Sequence, residues 1–206
     1  MYVPKHFAET DVARLHALMR VDAFSTLVSV IDGAPFATHV PLLLDPERGS
    51  LGMLVGHMAR ANPHWQAFDG LSPALAIFHG PHAYVSPRWF ASTPNVPSWN
   101  YEVVHASGLP RVLDDPAVVR ALLQRSAAVF EAGAATPWTL ASVTENYVAG
   151  LERGIVAFEI SIERLEGKWK LSQNKPVPDR AGIAAGLRAE GRRDEIAIAA
   201  AMESLP

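Results

Sequence analysis

Apolar positions along the chain change their period several times, and each change marks an element. In "DVARLHALM" (residues 11–19) Val12, Leu15, Leu18 and Met19 recur at helical spacing behind Thr10 and Asp11, which predicts a short capped helix. From Ala23 onward the apolar residues fall instead into short runs rich in β-branched and aromatic side chains: "AFSTLVSVI", "APFATHVPLLL", "LGMLVGHM", "PALAIFHG" and "AYVSP". "DGAP", "DPERGS" and "GP" separate them and carry turn chemistry, so antiparallel strands joined by hairpins are expected, with a turn in "HGPH" between His79 and His82. "YEVVHASGLPRVL" extends the series. "IVAFEISIERLEGKWKLS" sets Ile155, Ala157 and Glu159 against Val156, Phe158 and Ile160, predicting a strand covered on both faces.

Two helices are expected before that last strand. Asp114 and Asp115 precede Pro116 and open one that ends at Gly133; Pro137 opens "WTLASVTENYVAGLERG", ending at Gly154. The stretch from Asp179 reads as one or two short helices broken at Gly191. With at least six strands and no strand-helix-strand alternation, the pattern predicts a mostly β fold, a small β-barrel with flanking helices, rather than a parallel α/β sheet. Residues 1–206 are expected to form a single domain with a short C-terminal helical extension from about residue 179. "SPRWFASTPNVPSWNYE" is the one long irregular segment, broken by Pro87, Pro94 and Pro97, and such segments are often functional.

At 206 residues and 49% hydrophobic, the chain can bury a substantial core, so disorder is not expected. No apolar run is long enough to cross a bilayer, and "MYVPKHFAET" lacks the basic flank and apolar stretch of a secretory signal, which predicts a cytoplasmic protein. Cysteine is absent, excluding disulfides, thiolate nucleophiles and Cys-containing metal sites. The net charge of −3 does not attract polyanions globally. The exception is the stretch from Arg164 to Arg193, where eight basic residues face three acidic ones.

The eight histidines show no metal-ligand spacing: HExxH is missing, and His57, His64, His79, His82 and His105 are not grouped with carboxylates into a ligand set, so no metal site is expected. Gly-x-Ser-x-Gly, the Walker loop and the Rossmann glycine pattern are all missing. What remains is a barrel surface that could hold an anion. In "GHMARANPHW", His57, Arg60 and Asn62 follow an apolar strand, and Asn62-Pro63 opens a helical turn whose free N–H groups favour an anion. An Arg facing solvent in a strand-to-helix loop explains the same residues equally well. Trp89, Phe90, Trp99 and Tyr101 either cap the barrel or cover a flat ring system, to which Asn100 would offer its amide. "KWKLSQN" collects Lys168, Gln173 and Asn174 after the last strand, either as a hydrated loop or as part of an anion site.

"MYVPKHF", "GHMARANPHW", "GPHAYVSPRWF", "VPSWNYEVVHASG" and "LEGKWKLSQNKPVPDRAGIAAGL", in this order and spread over nearly the whole chain, resemble the motifs of the PaiB-like, FMN-binding negative transcriptional regulators. That resemblance implies a split β-barrel of the flavin reductase and pyridoxamine phosphate oxidase type, a homodimer, and FMN in a cleft between subunits. It makes Arg60 the preferred phosphate ligand, with His57 and Asn62 beside it and His39 near the phosphate or ribityl chain. Trp99 and Asn100 would approach the ring, and Lys168, Gln173 and Asn174 would complete the pocket. His79, Phe90 and Ser98 depart from the residues expected in relatives.

Three functions follow from different classes. The first is an FMN-binding regulator of the PaiB type, for which DNA contact would fall to Arg188, Arg192 and Arg193 in the basic tail, although a charged surface helix explains those arginines too. The second is a flavin-dependent oxidoreductase acting on a small molecule. No catalytic residue is visible, and none is required where the cofactor carries the chemistry. The third is a haem-binding or ligand-free interaction module built on the same barrel. None involves a membrane.

Overall fold

The alternating segments form seven strands in a computed structural model that describes residues 1–205. They are β1 (Ala8–Glu9), β2 (Phe24–Ile31), β3 (Ala34–Asp45), β4 (Met53–Ala59), β5 (Ala74–Val85), β6 (Ser98–Leu113) and β7 (Ile155–Lys170). The helices are α1 (Val12–Val21), α2 (Pro116–Phe130), α3 (Glu145–Arg153), α4 (Val177–Glu190) and α5 (Arg193–Glu203). The sheet is antiparallel with strand order β1-β7-β4-β3-β2-β5-β6, and β7 also pairs with β6, so six of the strands form a closed ring of pairings. Closure removes the unpaired edges that an open antiparallel sheet would leave.

Two expectations change. "HGPH" is no turn: β5 runs through Gly80 and Pro81 without interruption. A Cβ on Gly80 would lie 2.8 Å from Leu18 Cδ1 and 3.2 Å from Glu102 Cβ, so the glycine serves close packing and not chain reversal. The helix expected from Pro137 also divides. Leu140–Ser142 forms a 3-10 turn behind Thr139, and α3 starts only after Thr144, whose hydroxyl accepts from the Tyr147 amide at 3.4 Å. Two hydroxyl caps in one segment start two helices.

The chain divides into two compact units. One comprises Met19–Ile77 and Ala106–Leu165. Here β2 pairs with β3 along its whole length, from Phe24↔Pro41 to Ile31↔Ala34, and β4 pairs with β7 from Met53↔Ser161 to Ala59↔Ile155. The period of two sends Leu54, Phe158 and Ile160 to one face, where they are fully buried. Val55 and Ala157 on the other face are covered by Leu122 of α2 and meet Leu43 there. Arg120 of α2 holds α3 through Glu152 at 2.7 Å and Glu145 at 2.5 Å. Gly108 of β6 lies so close to β7 that a Cβ would fall 1.7 Å from Ser161 O.

The other unit comprises Met1–Leu18, Phe78–His105 and Glu166–Pro206. Within it β1 pairs with the end of β7, Ala8 opposite Lys168 and Glu9 opposite Gly167. Ile183 and Leu187 of α4 and Ile198 of α5 are fully buried. Gly191, at φ 74°, makes the break between these two helices that its sequence position predicts. Gly182 and Gly186 leave a groove on α4 for Trp89: a Cβ on either would lie 2.1 Å from Trp89 O or 2.3 Å from its ring. The buried Asp179 carboxylate accepts from Ser92 N at 2.8 Å and Ser92 Oγ at 2.7 Å. The "SPRWFASTPN" segment is thus tied to the C-terminal helices.

Candidate functional site

Alternation along β6 decides what each residue of "WNY" can do. Trp99 and Tyr101 project to one side and Asn100 to the other. Trp99 and Tyr101 line a cavity of about 600 Å³ together with Tyr2, His79 and His82 of β5, and Lys168 of β7. Trp99 stays 53% exposed, with Tyr84 edge-on at 5.9 Å and His82 at 6.3 Å between ring centroids. The Lys168 ammonium lies 5.4 Å from the Tyr101 ring centroid and 5.5 Å from that of Tyr2, and donates to the Tyr2 carbonyl at 3.2 Å. A cation over two π-faces, beside an exposed indole, forms a ledge suited to a flat, polar-edged ring.

Asn100 and Gln173, also predicted in this unit, hold the chain itself. Asn100 is fully buried; its amide nitrogen contacts Met202 Sδ at 3.3 Å, and its oxygen accepts from Ser172 Oγ at 3.0 Å. Gln173 closes the turn after β7, donating to Trp169 O at 2.7 Å and accepting from Leu171 N at 2.7 Å. Ser172 within that turn has φ 60°. Asn174 is exposed. Lys170, one alternation beyond Lys168, donates to Ser98 Oγ and Trp99 O and so fixes the start of β6. Burial, followed by repulsion from Lys168 and Lys175, holds its ammonium below the ordinary lysine range. The cluster of cations and amides after β7 therefore splits: Lys168 faces the cavity, while Lys170 and Gln173 hold the backbone that positions it.

The second set lies in the other unit. Asn62 caps the 3-10 helix Pro63–Ala67, its oxygen accepting from His64 N at 3.0 Å and its nitrogen donating to Thr38 Oγ1 at 3.0 Å. His64 Nδ1 shares that hydroxyl at 2.8 Å. Arg60 donates from Nε to Arg153 O at 2.9 Å and from Nη2 to Ile155 O at 2.6 Å, so part of its fork is engaged in holding the end of α3 and the start of β7. His57 is half-buried on β4, and burial pushes its imidazole below the usual histidine value. His39 is exposed on β3, paired with Thr26 Oγ1 at 3.1 Å and 6.3 Å from the Phe24 ring. Sequence reasoning missed Thr38 and His64, which join Asn62 in one network. The signal was available, because an Asn-Pro cap fixes the following amide and brings His64 with it.

Comparison with known proteins bears on these sites. Residues 1–164 match the family described as "Putative FMN-binding domain". The chain belongs to this family. It is 31% identical over 206 residues to the "Protease synthase and sporulation protein PAI 2" of Bacillus subtilis, covering 98% of this chain and 97% of that protein. It is also 30% identical over 226 residues to an uncharacterised protein of Emericella nidulans, covering 91% and 90%. Among solved structures, the flavocytochrome Anf3 from Azotobacter vinelandii superposes with a TM-score of 0.62 at 15% identity, over 82% of this chain and 72% of that one. The FAD and heme binding protein from Mycobacterium smegmatis gives 0.62 at 22% identity, over 87% and 80%. These likenesses establish the split-barrel fold that the family resemblance implied. The family places the chain among FMN-binding domains, as the resemblance implied.

Proposed function

We propose that this chain binds FMN as a homodimer and acts in the cytoplasm as a regulator of the PaiB type. The observation that carries the reading is the ring-lined cavity with the Lys168 ammonium over Tyr101 and Tyr2. Its residues fit a planar heteroaromatic system: Trp99 and Tyr101 supply π-faces, and Lys168 supplies a cation for an electron-rich edge. His39, His57, Arg60 and Asn62 are proposed for the phosphate and ribityl chain, as a separately testable set. Lys168, Trp99, Asn100, Gln173 and Asn174 are proposed for the ring end, Asn100 and Gln173 through the backbone they hold. Bound FMN supplies hydride and single-electron transfer, so oxidoreductase chemistry would need no further side chain.

Support for a second copy of the chain as partner comes from the outward face of β2 and β3. Phe24 is 69% and Val30 64% exposed, with Val28 between them and Ala37 and Pro35 opposite. Such a largely apolar sheet face favours an interface, and the Thr26–His39 pair stands on it between Phe24 and Val28. The regulatory role draws on kinship with the Bacillus subtilis protein and not on charge, because two of the tail's three candidate arginines are paired with carboxylates. Arg188 meets Glu203 at 2.9 Å and Arg192 meets Glu195 at 2.6 Å. DNA contact there would compete with those carboxylates, and a steep loss of affinity with salt would reveal it.

Sedimentation combined with an absorption spectrum of the purified protein tests the proposal. A dimer carrying the flavin bands, or acquiring them with added FMN, is expected. A monomer, or a protein that takes up haem and not FMN, would overturn it.

A further inference from the structure

A second cavity, of about 410 Å³, opens beside α2 in the unit formed by Met19–Ile77 and Ala106–Leu165. Its apolar wall is Val55, Leu113, Val118 and Leu122, and three guanidinium groups stand around it. They come from three places: Arg48 from the β3–β4 connection, Arg111 from β6 and Arg125 from α2. Glu159 of β7 is the only carboxylate lining it among the described residues, 5% exposed, and it accepts from Arg48 Nη2 at 2.8 Å and from Arg111 Nη2.

Arg125 reaches Leu44 O at 2.8 Å and Asp45 at 3.7 Å, and Asp114 lies close enough to Arg111 to act on its charge, so carboxylates balance the three guanidinium charges, yet only Glu159 among them lines the cavity. Arg48 and Arg111 each use one Nη2 on Glu159 and make no other hydrogen bond among the described residues. Glu159 thus fixes the two forks in place while their remaining N–H groups stay available to an anion. Guanidinium forks match a carboxylate in the plane, and a cavity of this size falls within the range of about 300–1,000 Å³ that small-molecule sites occupy.

We propose that this cavity binds a small amphipathic carboxylate, its head between Arg48, Arg111 and Arg125 and its apolar body against Val55, Leu113 and Leu122. Such a ligand bridges α2 to β6 and to the β3–β4 connection, and would act as an effector separate from the flavin.

The test uses octanoate as probe and the full chain, followed by NMR of the arginine side-chain N–H signals, with octanamide as the uncharged control. Octanoate should shift the Arg48, Arg111 and Arg125 signals saturably and octanamide should not. The double variant Arg48→Gln/Arg125→Gln should weaken octanoate binding by on the order of tenfold or more. Val118→Trp, which fills the mouth from an exposed position on α2 and keeps every arginine, should weaken it similarly and leave FMN titration unchanged. No saturable shift up to ~10 mM octanoate, equal binding of octanamide, or wild-type octanoate affinity in either variant would overturn the proposal.

Discussion

Replacing Gly108 by alanine isolates the contact at which β6 passes β7. An ideal Cβ there lies 1.7 Å from Ser161 O, 2.8 Å from Ser161 C and 3.3 Å from Glu163 N. All three are backbone atoms of a paired strand, so no side chain can rotate away. The carbonyl contact is about 1.5 Å short of ordinary van der Waals separation. Two effects oppose each other. Alanine restricts the unfolded chain, stabilising by about 0.4–1 kcal/mol where the native backbone accepts it. Overpacking a rigid contact costs about 1–3 kcal/mol, and a backbone partner puts this case at the upper end. The net loss is about 2 kcal/mol, which for a chain of this size lowers Tm by roughly 4–8 °C. Urea denaturation followed by circular dichroism measures it, with Gly133→Ala as control, since nothing lies within 4 Å of a Cβ there. A Gly108→Ala protein as stable as the wild type would refute the close passage of the two strands.

Further outcomes follow from buried groups. Burial alone would raise the Glu159 carboxyl, but hydrogen bonds from Arg111 and Arg48 outweigh it and hold the group below its ordinary value of 4.5. A depressed carboxyl stabilises the fold above its unfolded value and loses that contribution as pH falls through the folded one. Glu159→Gln should therefore cost about 1 kcal/mol near neutral pH, and the gap to wild type should close below pH 4.5; a gap independent of pH would count against the pairing. Burial lowers the His64 imidazole, whose Nε2 has no hydrogen-bond partner among the described residues, so its NMR titration midpoint should lie under 6.5. The unfolded chain then takes the proton first and stability falls as pH drops below that value; a midpoint above it would contradict the burial. Gly182→Ala on α4 should destabilise despite a helix-propensity gain of about 1 kcal/mol, because the new Cβ meets Trp89 O at 2.1 Å. Any rise in Tm would show that Trp89 does not seat against α4.

Most of the barrel was legible because a period of two survives in sequence whatever the strands pair with. Gly80-Pro81 was misread as a turn because glycine and proline carry their turn meaning locally, whereas the reason for this glycine, the closeness of Leu18 and Glu102, exists only after folding. Treating "WNY" as loop erased the alternation that separates Trp99 and Tyr101 from the buried Asn100. Arg60 was recognisable as a fork at the end of a strand, but its carbonyl acceptors Arg153 and Ile155 lie far along the chain. Gln173 illustrates the same limit at short range: nothing in its neighbours tells a ligand amide from one that closes its own turn.

The central claim is that the ring-lined cavity beside Lys168 receives the flavin. Quenching of FMN fluorescence should be measured as wild type, Trp99→Leu and Lys168→Ala proteins are titrated into the cofactor, with circular dichroism confirming that each is folded. Saturable quenching by the wild type is expected, with affinity reduced on the order of tenfold in each variant, as loss of one stacking or cation contact requires. Wild-type affinity in both folded variants, or no saturable quenching by the wild type, would contradict the account.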